Sequence, residues 1–310
     1  MIEIRHLRKE YDTQRVALEN LTLEIPQGEV FGLIGPNGAG KTTLIRILAT
    51  LLEPTYGFVR INGVDVLEAP LRAHPFIGYM SDFFALYENM LAWEYLDHFA
   101  RCYGIAPKKR EKLIDEVLHL VSLDVRRDAE IRSLSRGMRQ RLCFAKTLLH
   151  EPKVLLLDEP ASGMDPAGRI EFRELLKQLH AMGRTILISS HILTEMADFC
   201  TSIGIMEEGK LLAAGRVGDI LKQLQRGHRL EIEILGDHEK LLGILRGIDD
   251  AEGVEAGTNG VVSCRWKGGR EALPALHRRL VNDGVELVSL AVKSDNLEDI
   301  YMRISGHRTS

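Results

Sequence analysis

Three features predict an α/β fold with a mainly parallel sheet. The runs "EVFGLI" (29–34), "KVLLLDEP" (153–160) and "TILISSH" (185–191) are almost continuously apolar up to their last residues. Segments of helical spacing lie between them. The first run leads straight into "GPNGAGKTT" (35–43), a glycine-rich loop with a helical pattern behind it. Strands covered on both faces lose the alternation of a half-buried sheet, and strands alternating with helices mark an α/β domain.

In chain order, "IEIRHL" (2–7) and "NLTLEI" (20–25) alternate apolar and polar residues and predict half-buried strands. Residues 41–52 have helical spacing, and Pro54 and Gly57 break the chain after them. "FVRING" (58–63) reads as strand and turn, and residues 90–125 carry helical patterns interrupted by "YGIAPKK". "IEFRELLKQLHAMG" (170–183) is an amphipathic helix closed by Gly183. A boundary is expected near Gly215–Gly227. Behind it, "RLEIEIL", "VVSCRWK" and "ELVSLAVK" read as strands, with "EALPALHRRLVNDG" and "NLEDIYMRI" as helices. This predicts two domains: 1–220, with a helical subdomain at about 85–150, and a small α+β unit at 228–310.

The 310 residues can bury a core without staples. A net charge of −4 gives no global field for nucleic acid, so no nucleic-acid partner is expected. The 4 cysteines have no metal-ligand spacing and read as reduced thiols. The N-terminus does not read as a signal peptide, and no apolar run has the length of a membrane helix. If the protein works at a membrane, a partner supplies the span.

"GPNGAGKT" fits G-x-x-x-x-G-K-[ST] in its required context, strand before and helix after. Gly35, Gly38 and Gly40 let main-chain N–H groups converge on phosphate oxygens, with Asn37 and Thr43 in the same cradle. Lys41 is placed to reach the β- and γ-phosphates of ATP, and Thr42 to ligate Mg²⁺. Asp158 and Glu159 end the second apolar run. Asp158 fits a second Mg²⁺ anchor, and Glu159 a base that polarises the attacking water.

Further stretches are more specific. "LSRGMRQRL" (134–142) resembles the signature of ABC-transporter ATPases, "ASGMDP" (161–166) resembles their D-loop, and His191 resembles their switch histidine. The resemblance covers residues 1 to about 220 and implies a P-loop NTPase fold. It also implies a homodimer that sandwiches ATP between one subunit's phosphate loop and the other's signature. Ser135 and Gly137 would then touch the γ-phosphate held by the partner, and His191 the γ-phosphate of its own site. Ser135 also reads as an ordinary N-cap. Asp165 reads equally as an N-cap before Pro166 and as a residue of the dimer face. Tyr11 stands where the family stacks an aromatic ring on adenine.

Two positions depart from the pattern. Arg136 replaces a glycine of the signature, and Asp82 replaces the usual Mg²⁺-ligating glutamine. Asp82 can ligate a cation, but it is shorter and charged. Phe83, Phe84, Tyr87, Trp93 and Tyr95 fall where the family receives a helix of its membrane subunit, or they form the core of the helical subdomain. The resemblance implies an ATP-hydrolysing subunit that powers export through a separate polytopic permease at the cytoplasmic face of the membrane. The alternatives are a nucleotide-gated scaffold with little turnover and a soluble ABC ATPase uncoupled from transport.

Overall fold

The computed structural model describes residues 1–12, 15–83, 86–224, 228–257 and 261–293. The chain divides into two units, Met1–Val217 and Gly218–Ser310. The expected helix "NLEDIYMRI", Phe84 and the last residue of the expected boundary, Gly227, lie outside the described residues.

The first unit opens with β1 (Ile2–Glu10) and β2 (Val16–Ile25), an antiparallel pair. Their inward residues Ile2, Ile4, Leu21, Leu23 and Ile25 are buried, as the alternation requires. β3 (Val30–Ile34) is buried at every position and runs through the glycine loop into α1 (Lys41–Leu48). Leu44, Ile45, Ile47 and Leu48 of α1 are fully buried, and each such side chain contributes about 1.5–3 kcal/mol. This helix is shorter than its pattern: Thr50 takes a left-handed φ of 62° and Leu51 is exposed.

β4 (Tyr56–Ile61), β5 (Val64–Asp65) and α2 (Pro70–Ala73) lead to β6 (Ile77–Met80). α3 (Ala92–Cys102), α4 (Pro107–Leu120) and α5 (Arg136–Leu148) fill the next stretch. β7 (Val154–Leu157), α6 (Pro166–Ala181), β8 (Thr185–Ser190), α7 (Leu193–Ala197), β9 (Ser202–Glu207) and β10 (Lys210–Arg216) complete the unit.

The main sheet has the order β10-β9-β3-β8-β7-β6. β9, β3, β8, β7 and β6 are parallel, and β10 closes the edge antiparallel. β1, β2, β4 and β5 form a second, antiparallel sheet. One apolar cluster joins α1 to both, with Ile4 and Leu23 on one side and Leu156 and Leu187 on the other. Because β3, β8, β7 and β6 are neighbours and parallel, the segments leaving their carboxyl ends meet at one sheet edge, where open α/β sheets bind ligands.

The second unit contains all but the first residue of α8 (Val217–Leu224), then β11 (His228–Leu235), α9 (His238–Arg246), β12 (Ala251–Ala256), β13 (Val261–Trp266), α10 (Leu273–Asn282) and β14 (Glu286–Lys293). From β11 onward the order is βαββαβ, and the antiparallel sheet runs β12-β13-β11-β14. Leu230, Ile232 and Val262 pack with Leu241, Leu245 and Leu280. β12 has no apolar run to announce it: "AEGVEA" holds its place by pairing with β13.

Candidate nucleotide site

The ends of β3, β6 and β7, with Tyr11, Arg15 and Ala17 of the β1–β2 segment, build one cleft of about 510 Å³, within the range of small-molecule sites. The loop after β3 lines it from Pro36 to Thr43, and with it stand Tyr11, Asp82 and Glu159. Arg15, which sequence reasoning passed over, lines it too.

Two of the loop's glycines answer to packing as well as to a ligand. A Cβ on Gly35 would strike the Met206 carbonyl, and one on Gly40 would stand 2.5 Å from the Ala17 carbonyl. The loop is therefore pressed against the strands on either side, which fixes the start of α1. The chemistry at the loop centres on Lys41, which is 6% exposed. Its Nζ donates to the Gly35 carbonyl at 2.6 Å and to the Pro36 carbonyl at 3.2 Å, and lies 3.6 Å from Glu159 Oε1. Burial pushes its pKa below the ordinary lysine value, while Glu159 and Asp158 pull it back up.

Asp158 is completely buried. Its Oδ1 accepts from Ser189 Oγ at 2.7 Å, and Oδ2 has no hydrogen-bond partner among the described residues. Burial drives the carboxyl above the usual aspartate range, opposed by the Ser189 and Thr42 hydroxyls and reinforced by Asp82 and Glu159. A bare buried carboxylate oxygen beside a threonine hydroxyl and a second aspartate is a hard oxygen donor set, so these residues fit Mg²⁺. Asp82 stands at the rim, with one oxygen accepting from the Phe83 N–H at 2.7 Å.

Glu159 takes a φ of 46°, a region that costs a non-glycine residue about 1–3 kcal/mol and clusters at functional sites. Its N–H donates to Ser189 Oγ at 2.9 Å, Oε2 lies 3.0 Å from His191 Nδ1, and Oε1 is buried without a hydrogen-bond partner among the described residues. Ser189 thus holds both acids at once, a role sequence reasoning missed. A polar residue inside the apolar strand "TILISS" is the signal that could have revealed it. His191 itself borders a smaller recess of about 160 Å³ and meets the cleft through Glu159.

At the cleft mouth, Tyr11 is half-exposed, with its hydroxyl 3.3 Å from Thr43 Oγ1. Ser135, Gly137 and Asp165 do not line this cleft. Ser135 caps α5 by accepting from the Met138 N–H at 3.3 Å, and Asp165 caps α6 by accepting from the Gly168 N–H at 3.2 Å. Among the described residues, a Cβ on Gly137 would meet nothing within 4 Å, so no packing among them explains that glycine. The aromatic stretch splits. Phe83 is 81% exposed and Tyr87 56%, while Tyr95 is core and Trp93 is half-buried beneath the Arg127 guanidinium.

Comparison with known proteins gives a consistent result. Residues 18–162 match the family described as ABC transporter. The bacitracin transport ATP-binding protein of Bacillus licheniformis is 34% identical over 310 residues, covering 100% of this chain and 98% of that protein. The Nod factor export ATP-binding protein I of Cupriavidus pinatubonensis is 32% identical, with 99% and 91% coverage. A solved ATP-binding cassette, a dimer in a post-hydrolysis state bound to ADP and Pi, aligns with a TM-score of 0.64 at 25% identity, covering 70% of this chain and 99% of that one.

Proposed function

The chain belongs to the ABC transporter family of ATP-binding subunits, and on that premise we propose that it binds and hydrolyses ATP to power export through a separate membrane permease. The observation that carries this reading is the linkage of Lys41, Glu159 and His191 around one glycine loop, with Asp158 beside them. The same groups support turnover over a purely nucleotide-gated scaffold.

ATP lies with its adenine on Tyr11 and its phosphates against the N–H groups of 38–43. Lys41 leaves the Gly35 and Pro36 carbonyls for the β- and γ-phosphates, exchanging two neutral acceptors for charged ones. Thr42, Asp158 and Asp82 would hold Mg²⁺, which when bound neutralises charge on the β- and γ-phosphates. Glu159 Oε1, without a hydrogen-bond partner, accepts a hydrogen bond from the attacking water, while Oε2 stays anchored on His191. His191, which holds Glu159 Oε2 through Nδ1, has Nε2 left for a γ-phosphate oxygen.

Ser135 and Gly137, at the amino end of α5, offer a hydroxyl and N–H groups to the ATP of a second copy, and Asp165 is read as a residue of the same dimer interface. The exposed Phe83 and Tyr87 beside Asp82 suit a docking helix of the permease, so the anchor adjoins a metal-site residue. No described helix is long and apolar enough to cross a membrane, which fits work at its cytoplasmic face through that partner. The C-terminal unit serves as an accessory or regulatory domain. Export is supported by the Nod factor relative.

Steady-state phosphate release from the full chain tests the reading. ATP-dependent turnover abolished by Lys41→Met and by Glu159→Gln is expected. Equal phosphate release by wild type and both variants would refute it.

A further inference from the structure

Arg136 is the signature residue that departs from the family pattern. It occupies the first position of α5, where a cation opposes the helix dipole, so a compensating role is worth seeking. Its guanidinium covers Gly163. A Cβ there would stand 2.6 Å from Arg136 Nη2 and 2.7 Å from Nε, and Gly163 has a left-handed φ of 77°. One turn further along α5, Gln140 is 1% exposed. Its Nε2 donates to the carbonyl of Pro160, and its Oε1 is buried without a partner among the described residues. One face of the signature helix thus touches both ends of 160–163, the segment that directly follows Glu159.

We propose that Arg136 and Gln140 form a two-point clamp by which the signature helix positions Glu159 of its own chain, so that nucleotide gripped at Ser135 is sensed at the other active site. The clamp rests on the proposed sandwich, since only there does Ser135 meet a partner's phosphate. Glu159 is sensitive to such a pull: its backbone sits in a sparsely populated region, held by Ser189 on one side and by the Pro160 peptide on the other. Any displacement of α5 reaches the Pro160 carbonyl through Gln140 and the turn at Gly163 through Arg136. Both are positioning residues, remote from the reacting atoms.

The test uses full-length Gln140→Leu and Arg136→Lys. Leucine preserves volume and deletes the unpartnered Oε1 together with the Nε2 donor, leaving the Pro160 carbonyl without that partner, so the Tm is read beside the rates. Lysine preserves charge and loses the planar fork that lies flat on Gly163. The readouts are kcat, the Kd of a fluorescent ATP analogue, the Hill coefficient for ATP and the Tm. The expected result is a kcat lowered about 10- to 100-fold with Kd within about twofold, and a Hill coefficient falling toward about 1. Unchanged kcat and Hill coefficient in both variants would overturn the clamp, as would losses of kcat and Kd that merely follow a fallen Tm. A Glu159→Gln control separates the two levels. If it forms an ATP-dependent dimer while the variants stay wild-type, the clamp alone fails. If it forms none, the sandwich fails, and the clamp with it.

Discussion

His191 Nδ1 and Glu159 Oε2 stand 3.0 Å apart, so the ring at the end of β8 holds the acid at the end of β7. Glu159 lines the cleft, and its Oε1 lies 3.6 Å from Lys41 Nζ with no hydrogen-bond partner among the described residues. Replacing His191 by Ala should therefore lower kcat about 10²- to 10⁴-fold and leave the ATP Kd within a few-fold. Single-turnover kinetics with separately measured binding check this.

Ser189 donates to the buried Asp158 and accepts from the part-buried Glu159 N–H. Ser189→Ala strands one buried and one part-buried polar group, the first at about 1–3 kcal/mol. Denaturant unfolding should show that loss, and kcat should fall more than proportionally because both acids lose their orientation. Ser189→Thr keeps the hydroxyl and should recover most of the rate.

The Asp158 carboxyl is shifted upward, chiefly by burial, so the folded protein without nucleotide holds this proton more tightly than the unfolded chain does. That stabilising contribution is complete below the ordinary aspartate value and is lost as pH rises through the raised one. Asp158→Asn should therefore raise Tm at neutral pH, by about 2–4 °C per kcal/mol. The advantage over wild type should shrink as pH falls toward about 4. Calorimetry across pH without nucleotide measures it. The variant should lose Mg²⁺-dependent ATP binding, a gain of stability at the expense of function.

Arg15 has an exposed side chain on the cleft wall, and its Nη2 lies 3.3 Å from where a Cβ on Gly38 would stand. A guanidinium so close to the phosphate loop should strengthen binding of charged nucleotides. Arg15→Ala is expected to weaken ATP about 5- to 10-fold and adenosine hardly at all, with a reduced salt dependence of the ATP Kd. Titration calorimetry with both ligands at two ionic strengths checks the difference.

The glycine loop, the acidic end of β7 and His191 were legible in the sequence because each couples a local pattern to a chemical need. β3 was legible despite Gly32, because four large apolar residues surround it and the glycine loop follows. β6 and β9 hold fewer apolar residues around Gly78 and Gly204 and were not. A Cβ on Gly78 would lie 2.7 Å from the Thr147 carbonyl, and one on Gly204 2.8 Å from the Phe31 ring, so those glycines serve close packing. Tyr95 and Phe83 belong to one aromatic stretch, and only the fold separates the core residue from the exposed one. Arg15, Gln140 and Ser189 act through neighbours distant in sequence, and no local pattern announces them.

The central claim is that the phosphate loop of one copy and the signature of another enclose the same ATP. Sedimentation velocity of the Glu159→Gln chain, with Mg²⁺ and with or without ATP, tests it most directly. The account predicts a monomer without ATP and a stable dimer with it, abolished by adding Ser135→Arg. A chain that binds ATP to saturation and still sediments as a monomer would contradict it.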